Sequence, residues 1–237
     1  NDTTSLQGRL IMADGTPDGD QFQVNEGPPA VNANEFQEAV TGLADGGFLA
    51  AWRGPELQGR TFDADGTPRG GQFQINTDLE GAEADPDLAL GDNGNVLAVW
   101  ADAESTGNGN EIRGRVFVPD QSMAGISPLG NDFRVNSLFI DNQFEPAVDN
   151  FGEEGFLVAW TSDNSVGTDT DRGIQGRVVT ADGTFGSPQA QLNQYQSTPE
   201  DKPAAGGRGG LVAVGWYASR NAPYNGGVIV GRKWLGD

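Results

Sequence analysis

The chemistry open to this chain is carboxylate chemistry, because its 237 residues include neither histidine nor cysteine. That absence excludes Ser-His-Asp and Cys-His nucleophiles, thiolate or imidazole zinc sites, and any disulfide framework. The 34 acidic residues leave two reactions to consider: capture of a hard cation by oxygen ligands, and acid–base hydrolysis of a glycosidic bond. For a cation, the Asp-X-Asp-Gly turn sets Asp63 beside Asp65. The segment SDNSVGTDTDRG at 162–173 gathers Asp163, Asn164, Asp169 and Asp171 within nine residues. A matching insert at 102–111 carries Asp102, Glu104, Asn108, Asn110 and Glu111. Asp63, Asp65, Asp163, Asn164, Asp169 and Asp171 are therefore the candidate metal ligands, with calcium as the cation; the competing reading is a set of solvated acidic loops. Neither insert has the helix-flanked twelve-residue calcium loop pattern. For hydrolysis, no acid pair stands in a distinctive motif. The expectation is that the chain is not an enzyme, and no catalytic residue is assigned.

Charge narrows the partners. A formal charge of −20 repels a phosphate backbone, so nucleic acid is not expected. No run approaches the apolar length of a membrane-spanning helix, so no membrane span is expected. Of the 14 basic residues only Lys202 and Lys233 are lysines. Such an acidic, lysine-poor surface stays soluble where salt screens its self-repulsion, which suits an extracellular or cell-surface setting. The opening Asn-Asp-Thr-Thr shows no basic-then-apolar leader, so a signal peptide is expected to be already removed or never used.

The elements that position these residues are set by an internal repeat. GFLAAW (47–52), NVLAVW (95–100), GFLVAW (155–160) and GLVAVGW (210–216) end in Trp52, Trp100, Trp160 and Trp216, spaced 48, 60 and 56 residues apart. Each is preceded by a first segment: EAVTGL, PDLALG, EPAVDN or KPAAGG. A Gly-Arg segment recurs five times, carrying Arg9, Arg60, Arg115, Arg177 and Arg232. A fourth segment ends in Asn25, Asn76, Asn136 and Asn193. Alternation in QFQIN and DFRVN reads as strand with one wet face, whereas the Trp segments, apolar on both faces, read as strands between two layers. ADGT turns supply the positive-φ glycine of tight hairpins. Helix is expected to be close to absent.

Four antiparallel strands per repeat of about 50 residues is the signature of a β-propeller. The expected fold is all-β, one propeller domain over 1–237 with repeats about 36–76, 84–136, 144–193 and 199–237. Residues 6–25 are expected to complete the last repeat, giving four blades with the N- and C-terminal strands sharing a blade. The alternative is five blades, one of them ragged. In such a fold the tryptophans belong to inter-blade core, the arginines bridge to an acid or carbonyl of the neighbouring blade, and the asparagines bond backbone.

The consensus of Pro-Ala-Val, Asp-Gly-Gly-Phe, Val-Ala-Trp, Ile-Gln-Gly-Arg-Val-Phe, Ala-Asp-Gly-Thr and Phe-Gln-Val-Asn resembles repeats of large secreted bacterial calcium-binding, adhesin or hemolysin-type exoproteins. The resemblance covers nearly the whole chain and implies a secreted propeller-like module. The Gly-Gly-X-Gly-X-Asp nonapeptide of the toxin β-roll is absent, so calcium binding does not transfer from it. The primary expectation is a non-catalytic binding or adhesion module for a polysaccharide or cell-surface component. One alternative is a structural subunit that self-associates through unpaired terminal strands; a second is a carboxylate-dependent glycoside hydrolase.

Overall fold

In the computed structural model the described residues are 5–26, 37–78, 81–103, 109–138, 141–163, 172–194, 199–208, 211–219 and 227–234, with side chains left aside at 208, 219 and 227–234. They form an all-β structure, interrupted only by a single 3-10 turn at Gly152–Glu154. Sheet 1 is the pair β1 (Gln7–Ile11) and β2 (Pro17–Gln23). Sheet 2 runs β3 (Glu38–Gly42), β4 (Phe48–Arg53), β5 (Leu57–Phe62), β6 (Phe73–Gln74). Sheet 3 runs β7 (Glu83–Leu90), β8 (Val96–Ala103), β9 (Asn110–Pro119), with β10 (Ile126–Pro128) and β11 (Phe133–Arg134) both on β9. Sheet 4 is β12 (Gln143–Asn150), β13 (Phe156–Ser162), β14 (Gly173–Val179), β15 (Ala190–Gln191), and sheet 5 is β16 (Glu200–Arg208), β17 (Leu211–Ser219), β18 (Gly227–Trp234). All pairings are antiparallel neighbours in sequence or nearly so, each sheet a simple meander.

The core lies between sheets, one layer per junction. Leu97 and Val99 of β8 meet Phe156, Val158 and Trp160 of β13, while Leu157 and Ala159 on the opposite side of β13 meet Val212, Val214 and Trp216 of β17. A strand sandwiched in this way must be apolar at every position, which explains the Trp segments. The four repeated tryptophans are buried at equivalent places, 0 to 3% exposed, and Trp160 donates from Nε1 to Gln143 Oε1 at 2.9 Å.

The Gly-Arg pair on the third strand has two jobs. The glycine leaves room for the apolar residue of the fourth strand: a Cβ at Gly8, Gly59, Gly114 or Gly176 would meet Phe22 and Val24, Ile75, Val135 or Leu192 within 2.7–3.3 Å. The arginine ties sheet to sheet. From Nη1, Arg60 reaches Val24 O at 3.1 Å, Arg115 reaches Ile75 O at 2.7 Å and Arg177 reaches Val135 O at 2.9 Å, each on the fourth-strand segment of the preceding sheet. The repeated asparagine pins the third strand's start, Asn25, Asn136 and Asn193 Oδ1 accepting from Leu6, Ile112 and Ile174 N.

Against the expectation that residues 6–25 complete the C-terminal sheet, β1 pairs among the described residues with β2, and β18 with β17, in separate sheets. Val24 packs with Ala50, Trp52 and Phe62 and gives its carbonyl to Arg60, so the N-terminal pair sits against sheet 2 as the outer half of a preceding unit.

Candidate functional site

First strands of successive sheets lie side by side, β3 against β7, β7 against β12 and β12 against β16. Three of them, β7, β12 and β16, carry an irregularity at the same place. Register shifts fall between Ala84 and Asp87, Phe144 and Ala147, and Asp201 and Ala204. At these bulges the non-glycine residues Asp85, Glu145 and Lys202 hold φ of 51°, 52° and 55°, and Gln37, just ahead of β3, holds 70°. A left-handed conformation at a residue preceding proline, as in Asp85-Pro86, Glu145-Pro146 and Lys202-Pro203, costs on the order of 1–3 kcal/mol and persists only where the surroundings enforce it. Four strained polar residues on four neighbouring strands thus converge on one cleft of about 410 Å³, lined also by Glu38 and Asp87.

The bulges are interlocked. Gln37 accepts from Asp85 N at 3.1 Å and donates its amide to Asp85 Oδ1. Glu145 Oε2 accepts from Lys202 N at 3.0 Å and from Thr161 Oγ1 at 3.1 Å. Asp87 accepts from Leu88 N at 2.9 Å and, across the junction, from Val148 N at 2.8 Å. Burial pushes the Asp87 carboxyl above the usual carboxylate range, with the Asp149 charge adding to the effect and the two N–H donors opposing it. The cleft therefore holds one carboxyl biased toward its protonated form beside Glu145 and Asp85, with the exposed Lys202 at its rim. A protonated carboxyl and an ionised one on the same cleft are the minimum equipment for cleaving an acetal.

None of these residues was assigned from sequence. A signal was present: Asp-Pro, Glu-Pro and Lys-Pro at one position of otherwise strand-like first segments. Proline inside a strand marks a bulge, and bulges re-aim side chains next to active sites.

Of the candidate metal ligands, Asp63, Asp65 and Asp163 are among the described residues, and each has a partner of its own. Asp63 is held by Arg69 at 2.6 Å, and Arg69 also binds Asp45 at 2.6 Å. Asp65 accepts from Thr67 N at 2.9 Å, closing its own turn. A cation at this turn has to displace Arg69. Asp163 is bound to Arg172 at 3.0 Å and to Asn142 at 3.0 Å; Asn164, Asp169 and Asp171 lie outside the described residues. Among the described residues no group of three or more acids has the spacing to hold a metal ion, and no helix is long and apolar enough to cross a membrane.

A second, buried acidic cluster sits at the junction of sheets 2 and 3. Glu83 and Asp102 face each other across β7 and β8. Asp102 is pushed up to about 7 by burial, the Glu83 charge adding and Arg113, 3.7 Å away, opposing. Arg113 is itself anchored to Asp132 at 2.6 Å.

No protein-family model matches the chain, and no curated protein matches it. Solved structures do. The α-L-arabinofuranosidase Arb93A of Fusarium graminearum aligns at a TM-score of 0.59 with 14% identity, covering 87% of this chain and 65% of that one. The α-L-arabinanase of Penicillium chrysogenum, solved with arabinobiose, also gives 0.59 with 11% identity over 87% of this chain and 65% of that one. An endo-arabinase of Bacteroides thetaiotaomicron gives 0.51 with 13% identity over 79% of this chain and 70% of that one. The chain spans just under two thirds of the length of the first two. At such identities the likeness is one of fold. It corrects two expectations: the fold neighbours are arabinofuranosidases and arabinanases rather than calcium-binding adhesin or hemolysin-type exoproteins, and, against the expectation of a non-enzyme, those neighbours are themselves enzymes.

Proposed function

We propose that this chain is the catalytic portion of a propeller glycoside hydrolase acting on a neutral, arabinose-containing polysaccharide or a close relative of it. The five sheets are its blades, and the cleft across β3, β7, β12 and β16 is its substrate site. The observation that carries this reading is the convergence of Asp85, Asp87 and Glu145 at strained, interlocked bulges on one cleft. Strain of that kind is retained at functional sites and is hard to explain as scaffold alone. The fold neighbours supply the substrate class, since two of them act on arabinan or are bound to arabinobiose. A neutral glycan fits the electrostatics, because a chain of charge −20 disfavours anionic polymers.

In this mechanism Asp87, whose burial favours the protonated form, donates its proton to the departing glycosidic oxygen. Each of its oxygens retains a lone pair beyond the one used by a backbone N–H. Glu145, fixed by Thr161 and the Lys202 amide, acts as the carboxylate partner on water or on the anomeric carbon, with Asp85 adding negative charge beside the oxocarbenium-like centre. Lys202 binds sugar oxygens at the rim.

Incubation with linear arabinan, xylan, galactan and β-glucan, followed by reducing-end release, tests the reading. The expected result is turnover of arabinan, or of one neighbouring neutral glycan. Absence of turnover on every glycan, with the protein folded, overturns it.

A further inference from the structure

Sheet 1 lacks what sheets 2, 3 and 4 have. In sheets 2, 3 and 4 the Gly-Arg strand is flanked on both sides, by the Trp strand on one edge and the fourth strand on the other. In sheet 1 the Gly-Arg strand β1 pairs, among the described residues, with β2 alone, and its burial pattern is half exposed where β5 and β14 are mostly buried. The next sheet records the same deficit. Val40, Leu88 and Val148 occupy one register position, opposite Ala50, Ala98 and Val158. Leu88 is 6% and Val148 5% exposed because the preceding first and Trp strands cover them; Val40 is 68% exposed. Between the open edge of β1 and the uncovered face of β3 and β4 lies an apolar groove of about 290 Å³, lined by Leu6, Leu10, Phe22, Val40, Phe48 and Ala50 among others.

We propose that this groove is a docking site for a β-hairpin built like the chain's own first-plus-Trp strand pair, which adds to β1 and completes sheet 1. The occupant is read from the molecule: at three consecutive junctions such a hairpin covers this face of the following sheet. Register follows as well. Trp52, Trp100 and Trp160 stand opposite Gln58, Arg113 and Gln175, so the incoming tryptophan stands opposite Gln7. Residues matching Leu157 and Ala159, which meet sheet 5 in their own place, then meet Val40, Phe48 and Ala50. Main-chain hydrogen bonds to an open edge give affinity and the alternating apolar side chains give selectivity. Nothing in this inference depends on the proposed hydrolase.

A synthetic peptide of residues 143–162, titrated into the intact 237-residue chain and followed by fluorescence anisotropy, tests it. The expected result is saturable one-to-one binding with a raised melting temperature. Val40→Asp in the protein, or Leu157→Asp in the peptide, weakens it by about tenfold or more, because either buries a carboxylate against apolar surface. Val40 is exposed, so its replacement leaves the fold intact. Met123→Asp, at a position 80% exposed on sheet 3, leaves binding unchanged. Absence of binding, or binding indifferent to Val40→Asp, overturns the proposal. So does a concentration-dependent dimer that Val40→Asp abolishes and the peptide does not displace, since the occupant is then a second copy of the chain.

Discussion

A buried arginine on a strand can be paired with an acid or spent on carbonyls, and here the repeat spends it on carbonyls. Arg115 gives Nε to Gly130 O at 3.0 Å and Nη1 to Ile75 O at 2.7 Å, fixing sheet 3 to sheet 2. Lysine cannot serve both from its single ammonium. Arg115→Lys should cost about 2–3 kcal/mol in denaturant unfolding, the value of charge-assisted hydrogen bonds lost at a buried site. Asp102 behaves in the opposite way. Its folded pKa, about 7, is raised above the unfolded value, so the fold binds a proton that the unfolded chain releases. Its contribution to stability is full below about pH 4 and is lost as pH rises through about 7. Asp102→Asn should flatten that decline and raise the melting temperature near about pH 8, with Arg113 still held by Asp132. An unchanged pH profile of the melting temperature in the variant contradicts this assignment.

At the scale of elements, the repeat owes its consistency to packing between sheets. Trp160→Ala removes a side chain that is 0% exposed and leaves Gln143 without its donor, an expected loss of about 3–5 kcal/mol. Glycines of the third strand should differ among themselves. A Cβ at Gly176 meets Leu192 Cδ1 at 2.7 Å, and Leu192 is itself 1% exposed, whereas at Gly114 the closest approach is 3.3 Å. Gly176→Ala should therefore destabilise by about 1–3 kcal/mol and Gly114→Ala by clearly less, measured as melting temperatures. These elements were legible in the sequence because each leaves a periodic mark. Two-sided apolar Trp segments demanded sandwiched strands, alternating QFQIN and DFRVN demanded half-wet ones, and Gly-Arg announced a close approach beside a bridging cation. The bulges were not legible in the same way. Proline after Asp85, Glu145 and Lys202 reads locally as a strand start, and only the side-by-side arrangement of β3, β7, β12 and β16 turns three separated dipeptides into one cleft. Clustering along the chain does not tell which carboxylates already have partners, as Asp63 has in Arg69.

For the whole molecule, the placement of the N-terminal pair depended on a long-range choice between two equivalent-looking neighbours. Residues 6–25 carry the same Gly-Arg and Val-Asn marks as every outer pair, and counting strands alone assigned them to the C-terminal sheet. The Val24 carbonyl bound by Arg60 and the packing of Val24 on Phe62 set them against sheet 2, and their described strands pair with each other. The same succession of sheets brings the first strands together, and with them Asp85, Asp87 and Glu145. Catalysis by that cleft, as proposed, is tested by arabinan turnover by the wild-type chain beside Asp87→Asn, Glu145→Gln and Asp85→Asn, each checked for an unchanged fold by circular dichroism. Asp87→Asn and Glu145→Gln are each expected to lower kcat by about 10²–10⁴-fold. Wild-type activity is expected to fall on the alkaline side as Asp87 loses its proton, a limb that Asp87→Asn removes. Turnover that survives both substitutions contradicts the proposal.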